Sequence, residues 1–292
     1  MADNDKKEID ELSGVETTGH EWDGIRELNN PLPRWWLWTF YATIVWSIGY
    51  TIAYPAWPLI DNATAGVLGW SSRADLADEV SQAAMLNQDK ISAIQSAAVS
   101  EIAADENLRQ FATAGGASAF KVYCVQCHGS GAAGSAGYPN LNDDDWIWGG
   151  TVDDIYSTLM HGIRYDADAD TRFNDMPAYG GDEILTRAEI SDVAWYVRKL
   201  SDQDFDETAA ANGEAIYADN CAACHGDTGE GVAELGGPNL SDAIWLYGGT
   251  HAQIAAQISN PRMGMMPGWG ERLGEAAVKQ LAVYVHGLGG GE

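Results

Sequence analysis

Two pentads carry most of the chemistry in this chain: Cys124-Val125-Gln126-Cys127-His128 and Cys221-Ala222-Ala223-Cys224-His225. In Cys-x-x-Cys-His the thiols, three residues apart, share one face of a helical turn, so both can form thioethers with the vinyl groups of one porphyrin. The next residue then turns an imidazole towards the iron. These 4 cysteines are all the chain has, and their pairing in two pentads argues against a disulfide framework. Zinc also takes Cys and His ligands tetrahedrally, but it accounts for neither the flanking motifs nor the methionines below. A thioredoxin-like redox pair needs a strand-helix alternation that the sequence lacks. The reading is two covalently attached c-type haems, one on Cys124, Cys127 and His128, the other on Cys221, Cys224 and His225.

The pentads belong to an internal repeat. Gly116 and Gly213 stand at the same distance before the first cysteine, and so do Phe120 and Tyr217. Downstream, Pro139-Asn140-Leu141 matches Pro238-Asn239-Leu240, Trp146 matches Trp245, and Gly149-Gly150-Thr151 matches Gly248-Gly249-Thr250. Met176-Pro177 then matches Met266-Pro267. Each copy ends on a predicted helix, with Ile190, Val193, Ala194 and Val197 on one face, or Val278, Leu281, Ala282 and Val285. Two homologous modules follow, 108–201 and 208–292, joined by an acidic linker over 202–207.

An iron held by one histidine needs a sixth ligand, and the repeated Met-Pro pairs offer Met176 and Met266. Histidine-methionine ligation raises the potential and blocks small ligands, which suits electron transfer. Core packing is the ordinary role of methionine and is expected of Met160, Met263 and Met265, although the last two are near enough to Met266 to substitute for it. His161, His251 and His286 do not occupy matching repeat positions and are expected at the surface or a haem edge. The order of motifs leaves open which methionine serves which pentad; ligation within a module is the default expectation. Asp166-x-Asp168-x-Asp170 opens like a calcium loop, but Thr171 and Pro177 stand where Gly and Glu are required. Asp143, Asp144 and Asp145 are expected to be a solvated face.

These sites have to be placed by the rest of the chain. Of 292 residues, 43 are acidic and 16 are Lys or Arg, a formal charge of −27. That field repels nucleic acid, which is excluded as a partner, and steers a basic one. Residues 1–34 form an acidic arm with no core of its own. From Trp35 to Ile60 there is no charged residue, a stretch long enough to span a bilayer, with Trp35, Trp36, Trp38 and Tyr41 at one end and Tyr54 and Trp57 at the other. Pro55 and Pro58 stop the helix. The leading arm is too long and acidic for a cleaved signal peptide. Lys6, Lys7, Arg26 and Arg34 precede the span and only Arg73 follows it closely, which places the N-terminus in the cytoplasm and the remainder in a periplasm-like compartment. Residues 61–107 read as a connector, with one or two helices from Ala74 to about Glu106. The expected fold is mainly α: one N-terminal transmembrane helix over 35–60, then two tandem cytochrome c domains.

The run from Gly19 to Trp36, Gly-His-Glu-Trp-Asp-Gly-Ile-Arg-Glu-Leu-Asn-Asn-Pro-Leu-Pro-Arg-Trp-Trp, closely resembles the pre-anchor segment of the dihaem subunit (subunit III) of cbb3-type cytochrome c oxidase, a resemblance that extends over essentially the whole chain. It implies an electron-transfer subunit with no oxygen-reducing site. Its partners would be a haem-copper catalytic subunit, a mono-haem cytochrome c subunit, a donor cytochrome c and membrane lipid, in a bacterial inner membrane. It also implies Met176 and Met266 as distal ligands, and contact between the pre-anchor run and the catalytic subunit. The alternative is a free-standing membrane-anchored dihaem cytochrome c serving other periplasmic reductases.

Overall fold

The computed structural model describes residues 8–242 and 244–291; Lys6 and Lys7, counted above in the charge asymmetry, lie outside them. The chain divides into two compact units, one up to Met85 and the other from Leu86.

In the first unit the acidic arm carries an antiparallel hairpin of β1 (Thr17–Trp22) and β2 (Ile25–Leu28). The hairpin turns at Asp23-Gly24, both at positive φ, a pair whose side chains tolerate that backbone. α1 (Arg34–Ala53) follows and has 20 residues. It stops where Pro55 forces Tyr54 into an extended backbone. Gly66, at positive φ, lets the returning chain lie against Ala53, and the N–H groups of Val67 and Leu68 bond the carbonyls of Ile52 and Ala53 at 2.9 and 3.1 Å. The last carbonyls of α1 are thereby satisfied. The helix expected over 35–60 is thus shorter and followed by a turn. Among the described residues no helix is long and apolar enough, by mean hydropathy, to cross a membrane. In α1 the many Trp and Tyr residues, each with a polar N–H or O–H, lower the mean.

α2 (Ser72–Ser96) and α3 (Val99–Ala104) occupy the connector. The repeats then give α4 (Glu106–Tyr123), α5 (Val125–His128), α6 (Val152–His161) and α7 (Arg187–Leu200), followed by α8 (Glu207–Asn220), α9 (Ala222–His225), α10 (His251–Ser259), α11 (Gly270–Leu273) and α12 (Glu275–His286). Side-chain caps set the helix starts. Asp105 and Asp206 cap α4 and α8, each accepting at 2.9 Å from the N–H three residues on. Thr151 and Thr250 cap α6 and α10 in the same way.

The helices that close the repeats exchange places. α7 packs on α8 and α12 packs on α4. Residues 201–206, at the junction of the two repeats, form the turn of a helical hairpin, and so short a connection brings its two helices side by side. α12 is left to cover α4. The crossings depend on the repeat glycines. A Cβ on Gly116 would overlap the carbonyl of Gln280 on α12, and one on Gly213 would overlap the carbonyl of Asp192 on α7. Phe120 and Tyr217, one turn on, meet Tyr284 and Tyr196 with ring centroids 5.4 and 5.2 Å apart.

Two cores result. One joins Phe120, Cys124, Ile155 and Leu159 with Trp269, Leu281, Ala282 and Val285; the other joins Ile190, Val193 and Val197 with Tyr217, Cys221, Ile254 and Ile258. Lys279 of α12 is 6% exposed. Its ammonium donates to the carbonyls of Gln95 and Ala97 at 3.0 and 2.9 Å and pairs with Glu275 at 2.8 Å, tying down the end of α2.

Candidate functional site

Each pentad forms one short helical turn, α5 or α9, entered through a cysteine that also caps the end of the preceding helix. Gly129 and Gly226, at φ 79° and 80°, then turn the chain away. Cys124 and Cys221 are buried, whereas Cys127 is exposed and Cys224 half-buried. Burial first, and the neighbouring thiol second, push the Cys124 and Cys221 thiols up to about 11. Both histidines are oriented from behind. Nδ1 of His128 lies 3.1 Å from the carbonyl of Pro139, and Nδ1 of His225 lies 3.0 Å from that of Pro238. A carbonyl only accepts, so Nδ1 donates and Nε2 keeps its lone pair for a metal. Burial lowers the pKa of both rings, against the opposing effect of those hydrogen bonds.

An apolar cavity opens beside α5, lined by Cys124, His128, Leu141, Trp146, Leu159 and Met266, among others. The methionine in it comes from the other repeat, where the expectation was pairing within a module. Ile163 and Met266 exchange backbone hydrogen bonds at 2.9 and 3.0 Å, and the N–H of Trp269 bonds the carbonyl of Leu159 at 2.8 Å. Met176 in turn packs on the core that holds Cys221. Its loop is pinned to α10 by the N–H groups of Gly180 and Gly181, which bond the Ser259 carbonyl at 3.1 and 3.0 Å.

Met160 packs against the first core. Met263 and Met265 are 41% and 62% exposed, so neither fills a core. His128 is the only histidine lining the cavity. His161 faces Asp168 at 3.1 Å, and His251 stacks on Trp195 with centroids 4.0 Å apart. Asp168 also accepts from the N–H of Asp170 at 2.8 Å, so this acidic run shapes its own loop. Asp145 is not solvated in the way expected of its run. It is half-buried and lines the cavity.

The donors fit a porphyrin. Each site presents two thiols, one oriented imidazole and a thioether, in apolar surroundings. The indole N–H of Trp245 is buried with no hydrogen-bond partner among the described residues, a donor that a carboxylate-bearing ligand satisfies. At the matching position the indole N–H of Trp146 donates to the carbonyl of Gly290. When bound, the group supplies one-electron redox chemistry at iron; the protein supplies attachment, axial ligands and exclusion of water.

A helix, an attachment turn, a proline loop and a closing helix are the parts of a cytochrome c, and this chain has them twice. Residues 113–201 match the family model described as cytochrome c, residues 208–285 that of cytochrome c oxidase, cbb3-type, subunit III, and residues 14–61 that of the N-terminal domain of cytochrome oxidase-cbb3, FixP. The cbb3-type cytochrome c oxidase subunit FixP of Sinorhizobium medicae is 53% identical over 100% of both chains. Subunit CcoP of Cereibacter sphaeroides is 54% identical over 94% of this chain and 95% of its own. Subunit FixPc of Rhizobium leguminosarum bv. viciae is 55% identical over 98% of this chain and 99% of its own. The chain belongs to the FixP/CcoP family, the dihaem electron-transfer subunits of cbb3-type cytochrome c oxidases. It binds c-type haems and is not the catalytic subunit.

The position of Asp145 has a measurable consequence. Burial first, then the charges of Asp242, Asp143 and Asp144, push its carboxyl up to about 6. Below that pH the group is neutral; above it an anion lines the cavity and favours the more positive, oxidised iron. The midpoint potential of the haem on Cys124 and Cys127 is therefore expected to fall as pH rises through about 6 and to level off on either side. Asp145→Asn should flatten the step, as redox titration from acid to neutral pH will show.

Proposed function

We propose that this chain takes electrons one at a time from a donor cytochrome c and delivers them, through its two haems, to a mono-haem cytochrome c subunit and on to a haem-copper catalytic subunit where oxygen is reduced. The observation that carries this reading is the meeting of His128 and Met266 in one apolar cavity. A thioether and an imidazole would both be ligands to a haem iron, which would then supply one-electron transfer and not substrate binding. Cys124, Cys127, His128 and Met266 hold one haem; Cys221, Cys224, His225 and Met176 hold the other. The formal charge of −27 favours a basic donor.

In this reading α1 is a single membrane span, with the hairpin arm cytoplasmic and the haem domains periplasmic. Four features support the span. α1 buries none of its residues within the chain, and at 1.5 Å per residue it extends roughly 30 Å, the thickness of a bilayer core. From Trp35 to Ala53 there is no charge. The hydroxyls of Thr39, Thr43, Ser47 and Thr51 all donate to carbonyls three or four residues back, at 2.7–3.0 Å, so none needs water. Its low mean hydropathy comes from Trp and Tyr, the residues that favour the headgroup boundary.

The test is isolation of the tagged chain from membranes in detergent. A haem-copper subunit and a mono-haem cytochrome are expected to accompany it. Recovery of the dihaem chain alone would return the free-standing carrier. Val45→Arg, which adds about 2.5–3.5 kcal/mol to insertion at mid-helix, is expected to shift the chain to the fraction released by alkaline carbonate; undiminished retention would count against the span.

A further inference from the structure

Trp148 lines the cavity that holds Cys124, His128 and Met266, and is 9% exposed. Its ring lies so close to Gly236 that a Cβ there would overlap it. The next residue, Gly237, is pressed against the carbonyl of Cys224, so that a Cβ there would overlap the oxygen. One side chain therefore borders the first cavity and also touches Gly236, whose neighbour Gly237 is packed on the second attachment turn. The ring is also fixed in place. The Arg172 guanidinium stands over it at 5.7 Å and donates from Nη1 to the Trp148 carbonyl at 2.9 Å, while Nη2 holds Asp154 at 3.0 Å.

The matching contact on the other side is looser. Tyr247, which occupies the position of Trp148 in the second repeat, would lie 3.4 Å from a Cβ on Gly137, an ordinary van der Waals contact without overlap. Gly137 is followed by Tyr138 and not by a second glycine. Along the chain, Cys124 and Cys221 are separated by a whole repeat, so no short covalent path competes.

We propose that Trp148 is the bridge by which electrons pass between the two haems, an inference that rests on the haem assignment above. One electron leaves the ferrous iron of one site and arrives at the ferric iron of the other. No bond forms or breaks, no proton moves, and the indole undergoes no net change of oxidation state. Tunnelling decays more steeply across gaps than through packed atoms, so a ring that lines one cavity and touches the backbone packed on the other attachment turn provides a continuous path. The two glycines allow that contact by keeping side chains out of the way.

The experiment uses the full-length dihaem protein in detergent, with Trp148→Phe and Trp148→Leu. After flash reduction of a partly oxidised sample, the rate of electron equilibration between the haems is expected to be slowed several-fold in the leucine variant and less in the phenylalanine variant. The far-red sulfur-to-iron absorption band is expected to be retained, and each rate is read against the midpoint potentials titrated for the same variant. The same rate in the parent and the variants, read in this way and with the band retained, overturns the bridge. Should the leucine chain fail to load both haems, the phenylalanine variant decides on the same criterion. The ligand assignment is judged separately, from the spectrum of the parent.

Discussion

Changing Met266 to leucine is expected to remove the sulfur ligand from the haem on Cys124 and Cys127 and to leave the haem on Cys221 and Cys224 unaltered. The reason is positional. Met266 lines the cavity with His128, and its backbone is paired with Ile163 of the first repeat. Loss of the thioether opens the iron to external ligands and lowers its potential, by on the order of 0.1 V given the range that axial ligands command. The assignment is cleanest in a chain whose second pair is removed by Cys221→Ala and Cys224→Ala. In that single-haem background Met266→Leu should abolish the far-red band and admit carbon monoxide, while Met176→Leu should do neither. The opposite pattern would mean that each methionine serves the pentad of its own repeat.

The other large effect is steric. Gly116→Val places a branched side chain where α4 crosses α12, against the backbone of Gln280 and within 2.6 Å of the Tyr284 Cβ. Backbone cannot swing aside as a side chain does, so the helices must separate, at an expected cost of about 3 kcal/mol or more. Because α12 follows the Met266 loop, weaker methionine ligation should accompany the lower thermal midpoint. Gly115 is a control one residue away. A Cβ there meets the amide at the flexible end of the Gln280 side chain, and Gly115→Ala is expected to stay within about 1 kcal/mol of the parent, helped by its better helix propensity. Thermal unfolding followed at the haem absorbance would show both. Equal stability in the two variants would mean that the crossing is not close-packed.

Much of this architecture was legible because the sequence writes it twice. Gly116 and Gly213, Phe120 and Tyr217, and Thr151 and Thr250 stood out only as matches, and each proves to have a mechanical role at a crossing or a cap. The apolar faces Ile190–Val197 and Val278–Val285 are buried as their spacing required. Repetition also concealed the exchange of partners. When two copies present near-equivalent surfaces, local pattern cannot say which closing helix covers which opening one. The signal was the short connection over 201–206, which reads as the turn of a helical hairpin once its length is weighed. The hairpin in the arm has its signal in Asp23-Gly24, which stands among acidic residues without an alternating apolar pattern. Trp148 and Asp145 carried no sequence signal, since neither is repeated and both depend on contacts between distant segments.

The exchange also orders events as the chain is made. The whole second site, from Met176 to Ile258, lies inside the interval between His128 and Met266, so the inner site is complete in any nascent polypeptide that has emerged past α10. The outer site has to wait for the final stretch of synthesis. Cys124, Cys127 and His128 are synthesised early and then stand without their methionine until residue 266 has been made. A premature stop just before residue 266 would spare the later half of the protein and disable the earlier one.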